Sequence, residues 1–168
     1  MIGNRKLNGQ QYTVSRALQD NSSLVREAAY QTAAEVKSAF FSREVSQRLA
    51  SENDVALRQV GILSLDTIHI DDASMSLSRW LLNDINVETR CMAARVIGRL
   101  SDRSQNKALL EAVINDKSKE VKKEAATALL TTTDSNVVSR MVELILKNDV
   151  DSELRFLLFR AVEKNASA

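Results

Sequence analysis

Apolar residues recur at four-residue steps in short blocks separated by polar turns. In five blocks they stand one before, three after and seven after a basic residue. The sets are Val25, Ala29 and Ala33 about Arg26; Leu57, Gly61 and Leu65 about Arg58; Thr89, Ala93 and Ile97 about Arg90; Val121, Ala125 and Leu129 about Lys122; and Leu154, Leu158 and Val162 about Arg155. Steps of four lie on one stripe of a helix. A shorter stripe precedes each block: Thr13 and Ala17, Val45 and Leu49, Leu77 and Leu81, Leu109 and Val113, Val142 and Leu146. No segment alternates with period two for long enough to make a strand. The pattern predicts helix pairs over 10–19 with 23–38, 41–50 with 55–68, 73–83 with 87–100, 105–114 with 119–131, and 136–147 with 152–164.

The basic residues are spaced by 32, 32, 32 and 33 positions. An acid stands six residues before each: Asp20, Glu52, Asp84, Asp116 and Asp149. A helix-capping residue type stands four before: Ser22, Asp54, Asn86, Ser118 and Asp151. A side-chain oxygen there satisfies the orphan N–H groups of a helix start. Glu88, Glu120 and Glu153 follow in the first turn, where the helix dipole favours acids. Self-similarity at a fixed period of this size marks a repeat architecture. The repeats run approximately over 8–39, 40–71, 72–103, 104–135 and 136–168, as a single domain over 1–168. The extra residue of the last unit is expected in the polar linker 131–135.

Composition narrows the function classes. The chain has 168 residues, with 23 Lys plus Arg against 22 Asp plus Glu, a net charge of +1. A strongly basic arm or an acidic tail is therefore not the main device. One Cys excludes a disulfide framework and a Cys-rich zinc site, and one His excludes a His-based metal triad. The absence of Pro leaves long helices unbroken. No apolar stretch has signal-peptide or bilayer-spanning length, so the expected location is the cytoplasm, with Cys91 a free thiol. No motif for a cofactor or a metal is found.

The runs Asn83–Ala94 and Asn115–Ala126 resemble the HEAT-repeat signature, an Asp in the inter-helix turn followed by Val-Arg, small residues and Leu. The resemblance covers essentially the whole chain. Its period is nearer the short HEAT-like repeats named after phycobilin lyases than the roughly 40–47 residues of longer HEAT units. Repeat two departs, with Glu52 and Gly61 in the Asp and Ala places, and repeat five has Leu158 where a small residue belongs. The resemblance implies an all-α fold: an α-solenoid of five HEAT-like helical hairpins, about ten helices, in a right-handed superhelix. At about 10 Å per layer it would extend on the order of 45 Å. It also implies that the turn acids and the basic column (Asp20 and Arg26, Glu52 and Arg58, Asp84 and Arg90, Asp116 and Lys122, Asp149 and Arg155) form a structural ladder between repeats. The competing reading is a charged functional surface.

In such solenoids the second helices line a concave face, which suits binding better than chemistry because nothing closes over it. Outward positions are expected one, five and nine residues after the basic column. The candidate partner-binding ridge is Gln31, Glu35, Leu63, Arg95, Arg99, Lys123, Thr127, Arg160 and Lys164, acidic toward its start and basic toward its end. The last helix is apolar nearly all round, and Phe156, Leu157 and Phe159 are a candidate docking or homodimer face. Cys91 is expected to be semi-exposed, Phe40 and Phe41 to be core, and Trp80 to pack between repeats. His69, Asp71 and Asp72 share one loop, too thin a set for a metal site. The expected function is a non-enzymatic protein–protein module: an adaptor, scaffold or regulatory subunit. A nucleic-acid binder using the basic stripe is the alternative, and a lyase-like helper for a tetrapyrrole is the third reading. No cofactor is expected, and no membrane.

Overall fold

The structure, a computed structural model, describes residues 2–68, 74–100, 103–147 and 150–166. Among them the chain is all-α. The helices in order are α1 (Ile2–Leu18), α2 (Ser23–Val36), α3 (Ala39–Leu49), α4 (Val55–Ile68), α5 (Ser74–Asn83), α6 (Val87–Leu100), α7 (Asn106–Asn115), α8 (Lys119–Ala128), α9 (Ser135–Ile145) and α10 (Ser152–Ala166). Short 3-10 turns precede α7 and follow α8.

The turns inside the hairpins show why these helices start where they do. A turn acid accepts the amide N–H two residues on: Asp20 from Ser22 at 2.8 Å, Glu52 from Asp54 at 3.2 Å, Asp84 from Asn86 at 2.7 Å and Asp116 from Ser118 at 2.8 Å. The capping residue then accepts from the first turn of the helix. Asp54 takes Ala56 and Leu57, Asn86 takes Thr89, Ser118 takes Val121, and Asp151 takes Glu153 and Leu154. Each such cap is worth about 1 kcal/mol. Ser22 sits at the cap of α2, but its side chain makes no capping bond.

The chain divides into two compact units, Met1–Ser76 and Leu77–Ala168. In the first, α1 pairs with α2 and α3 with α4, while α2 stacks on α4 and α1 on α3. Its core is Leu18, Tyr30, Phe41, Leu49, Ile62 and Leu65, all fully buried. Gly61, which stands in the Ala place of its column, makes room for this core. A Cβ there would lie 2.8 Å from Leu49 Cδ1 and 3.2 Å from the Tyr30 ring. In the second unit α7 pairs with α8 and α9 with α10, and α6, α8 and α10 stack in series. Gly98 sits where α6 meets α8, and a Cβ there would lie 2.7 Å from Ala128 Cβ.

The first helices correct two stripes. In α1 the buried pair is Val14 and Leu18, with Thr13 exposed, so the first turn is one residue shorter than the period implies. In α9 the buried residues are Val137, Met141 and Leu144, while Val142 and Leu146 are exposed. Met141 follows Leu109 by 32 positions, so the extra residue of the last repeat lies after Leu144 and not in the linker 131–135. Phe40 is also exposed. It meets the buried Phe41 edge to face, with ring centroids 5.4 Å apart, and is not core.

Candidate interaction surface

The basic column ties turns together. Arg26 Nη1 donates to the carbonyls of Asp20 and Asn21, both at 2.9 Å, in its own turn. Its Nε and Nη2 reach Glu52 of the following hairpin at 2.9 and 3.1 Å. Arg90 repeats the pattern, with Nη1 on the Asp84 carbonyl at 2.8 Å and Nε and Nη2 on Asp116 at 2.7 and 2.9 Å. An arginine therefore meets the acid of the next repeat, 26 residues on, while holding the backbone of its own turn. Arg58 donates to the Glu52 and Asn53 carbonyls, Lys122 to Ile114, and Arg155 to Lys147 and Val150. Asp149 lies outside the described residues. Arg48, absent from the sequence reading, adds a third charge. It binds Glu52 at 3.1 Å and donates to the last carbonyl of α1, Leu18, at 2.8 Å. Its pairing with Glu52, four residues on, is local, while its bond to Leu18 comes from α3 packing on α1.

Most outward positions of the second helices are exposed. In the first unit Gln31, Glu35 and Leu63 face solvent, and Gln31 donates to Glu27 at 3.4 Å. In the second unit Arg95, Arg99, Thr127, Arg160 and Lys164 are exposed and Lys123 is half-buried. Cys91, in the same column as Lys123, is 2 % exposed and not semi-exposed. Burial, with the charges of Glu88 and Glu124 behind it, pushes its thiol up to about 11, so it is a core group and not a nucleophile.

Three basic residues of this face are paired with acids. Arg95 lies 2.8 Å from Glu124 on α8 and 3.3 Å from Glu88 on its own helix. Lys123 binds Glu153 on α10, and Arg160 lies 3.7 Å from Glu163. These bonds align α6, α8 and α10 side by side and make the face mixed in charge. Arg95, Arg99, Thr127 and Thr131 line one open groove of about 250 Å³, floored by Gly98 and Ala128.

A second groove, of about 360 Å³, was not foreseen. Lys117, Lys119, Lys122, Lys123 and Lys147 ring an apolar floor that includes Val113, Leu144 and Leu154. Four of the lysines lie in the run 117–123, in the turn before α8 and on α8 itself, and Lys147 joins them from the turn after α9. Asp116 and Asp151 share its lining, so it too is mixed in charge. On α10, Leu154, Leu158 and Ala161 are buried, Leu157 is half-buried, and Phe156 and Phe159 are more than half exposed. Phe156, Leu157, Arg160 and Lys164 border an open depression with Leu130. Trp80 is half-buried on α5, and the loop with His69, Asp71 and Asp72 lies outside the described residues. Among the described residues no group of acids, His and Cys could hold a metal, and no helix is long and apolar enough to cross a membrane.

The family model for HEAT repeats matches residues 75–163, just over half of the chain. No curated protein matches the sequence.

Proposed function

We propose that this chain, which belongs to the HEAT-repeat family, works as a non-enzymatic protein-interaction module. It would hold a protein or peptide segment on the exposed face of its second helices, as an adaptor, scaffold or regulatory subunit in the cytoplasm. HEAT repeats generally mediate contacts between proteins, and the family is typically non-catalytic. The observation that carries the reading is the open groove between α6 and α8, lined by Arg95, Arg99, Thr127 and Thr131 beside Glu124. A groove that carries both charge signs and a floor of small residues matches a protein surface, which is mixed in the same way.

The same pairing counts against a polyanion as partner. Phosphate binding draws its free energy from releasing counterions at unpaired cations. Here Arg95 and Lys123 already face Glu124 and Glu153. The test is affinity capture from the native host's lysate, with and without nuclease, for the wild type and for Thr127→Arg, which fills the groove. A stoichiometric protein that survives nuclease and is lost with Thr127→Arg supports the reading. Recovery of nucleic acid, with every protein lost on nuclease treatment, overturns it in favour of the basic stripe.

A further inference from the structure

The stacking contact between hairpins uses two faces of each second helix. One face points toward the preceding hairpin and one toward the following hairpin. The forward face carries the position four residues after the basic column. Within the units Tyr30, Ala94 and Ala126 occupy it, and all three are fully buried. Tyr30 shows how it is used: its ring lies against Gly61 of the next hairpin, and its carbonyl accepts from Ser64 at 2.9 Å. In the fifth repeat the same position is Phe159, which is 56 % exposed, and the neighbouring forward position is the exposed Phe156.

The backward face carries the position one residue before the basic column. Within the units Leu57, Val121 and Leu154 occupy it, and all are buried. In the first repeat it is Val25, 38 % exposed, flanked by the exposed Leu24, Ala28 and Thr32. One open face is thus small and apolar, and the other carries two aromatic rings.

The charges repeat the asymmetry. Arg26 Nε and Arg90 Nε each end on the turn acid of the following hairpin. Arg155 holds its own turn with Nη2, through Lys147 and Val150, where Arg26 and Arg90 use Nη1. Its Nε is buried and has no hydrogen-bond partner among the described residues. A buried N–H without an acceptor is costly, and a charged one more so. At the other end, the Asp20 carboxylate accepts from the Ser22 amide and meets no cation among the described residues, whereas Glu52 and Asp116 each hold an arginine of the preceding repeat. With the Arg155 guanidinium turned as those of Arg26 and Arg90 are, the donor left over on α10 and the acceptor left over before α2 would make the two halves of one ladder rung.

We propose that copies of this chain associate head to tail, the α10 face of one molecule on the α2 face of the next, by the same contact that stacks successive hairpins. The occupant is a second copy because the complementary half of the contact, in shape and in charge, is on this chain: Phe156, Phe159 and Arg155 at one end, Val25 and Asp20 at the other. The interface is heterologous, with two different patches meeting, and not a two-fold contact of α10 with itself. It is independent of what the groove between α6 and α8 holds.

The test is sedimentation equilibrium of the full chain over rising concentration. Val25→Lys blocks the α2 face and Phe159→Lys blocks the α10 face; both side chains are exposed, and circular dichroism checks that each variant is folded. The wild type is expected to rise above the 18.7 kDa of one chain. Each variant alone stays at one chain mass. An equimolar mixture forms a species of twice that mass and no larger, through the one intact face of each. Charge exchange tests the rung: Asp20→Arg alone and Arg155→Asp alone associate more weakly than the wild type, and the two mixed associate again. A wild type that stays monomeric overturns the proposal. So does a Val25→Lys variant that still dimerises, which would mean α10 pairs with itself, or a mixture of blocked variants that stays monomeric. None of these outcomes bears on the capture experiment with Thr127→Arg.

Discussion

Glu52→Gln is the sharpest test of how the first unit is held. The Glu52 side chain is 1 % exposed and lies between Arg26 and Arg48, themselves 10 % and 14 % exposed. One carboxylate oxygen accepts from Arg26 Nη2 at 3.1 Å and the Asp54 amide at 3.2 Å, and the other from Arg26 Nε at 2.9 Å and Arg48 Nη2 at 3.1 Å. Gln keeps the shape and one acceptor. Its amide nitrogen would face two donors, so two charge-assisted bonds vanish, each worth about 1.5–3 kcal/mol. Two guanidinium groups would also be left without a carboxylate. Breaking a buried ion pair from one side costs about 3–5 kcal/mol, and we expect a loss in that range. Solvent screening takes little from it at this depth. The control is Glu143→Gln, which removes the exposed pair with Arg140 and should cost about 0.5 kcal/mol or less. Urea unfolding followed by circular dichroism reads both. The Glu52→Gln midpoint should fall by about 1 M or more at unchanged slope. A loss below about 1 kcal/mol would refute the claim that this carboxylate is buried between two guanidiniums and holds the first two hairpins together.

Other outcomes follow from the same geometry. Gly98→Ala gains about 1 kcal/mol of helix propensity, but its Cβ would meet Ala128 Cα at 2.9 Å, backbone that moves only if α6 and α8 part. A net loss of about 1–2 kcal/mol is expected, and a raised melting temperature would refute the close approach. The Cys91 thiol, buried and raised to about 11, should react with an aromatic disulfide only as fast as the unit opens, and at once in urea. Fast labelling of the native protein would contradict its burial. Asp116 is pulled up by burial, but hydrogen bonds from Arg90 and the Ser118 amide outweigh this and hold its carboxyl below the usual value. A lowered folded-state pKa means stability that is complete above the unfolded value of about 3.9 and lost as pH falls through the folded one. The stability gap between wild type and Asp116→Asn should therefore be constant near neutrality and shrink below about pH 4. A gap that grows on acidification would reverse the sign.

Much of this protein is legible without coordinates. Helix starts depend on a capping side chain and the next three amides, so Asp54, Asn86, Ser118 and Asp151 announce α4, α6, α8 and α10 within a residue or two. The four-residue stripes depend only on helix pitch, which is why Leu57, Ala93, Val121 and Leu158 are found buried where the period puts them. The tertiary structure decided everything that depends on two hairpins meeting. A turn one residue shorter or longer rotates a whole first helix, so Val14 replaces Thr13 and Met141 replaces Val142 in the core. Burial of Cys91 follows from α8 lying over it, which its own column, shared with the half-buried Lys123, does not reveal. That Arg26 meets Glu52 and that Arg95 and Lys123 are matched to Glu124 and Glu153 rest on side chains from different repeats. Local sequence determines each helix because its causes lie within one turn of backbone. Partners 26 to 30 residues apart are chosen by stacking, which no single repeat contains.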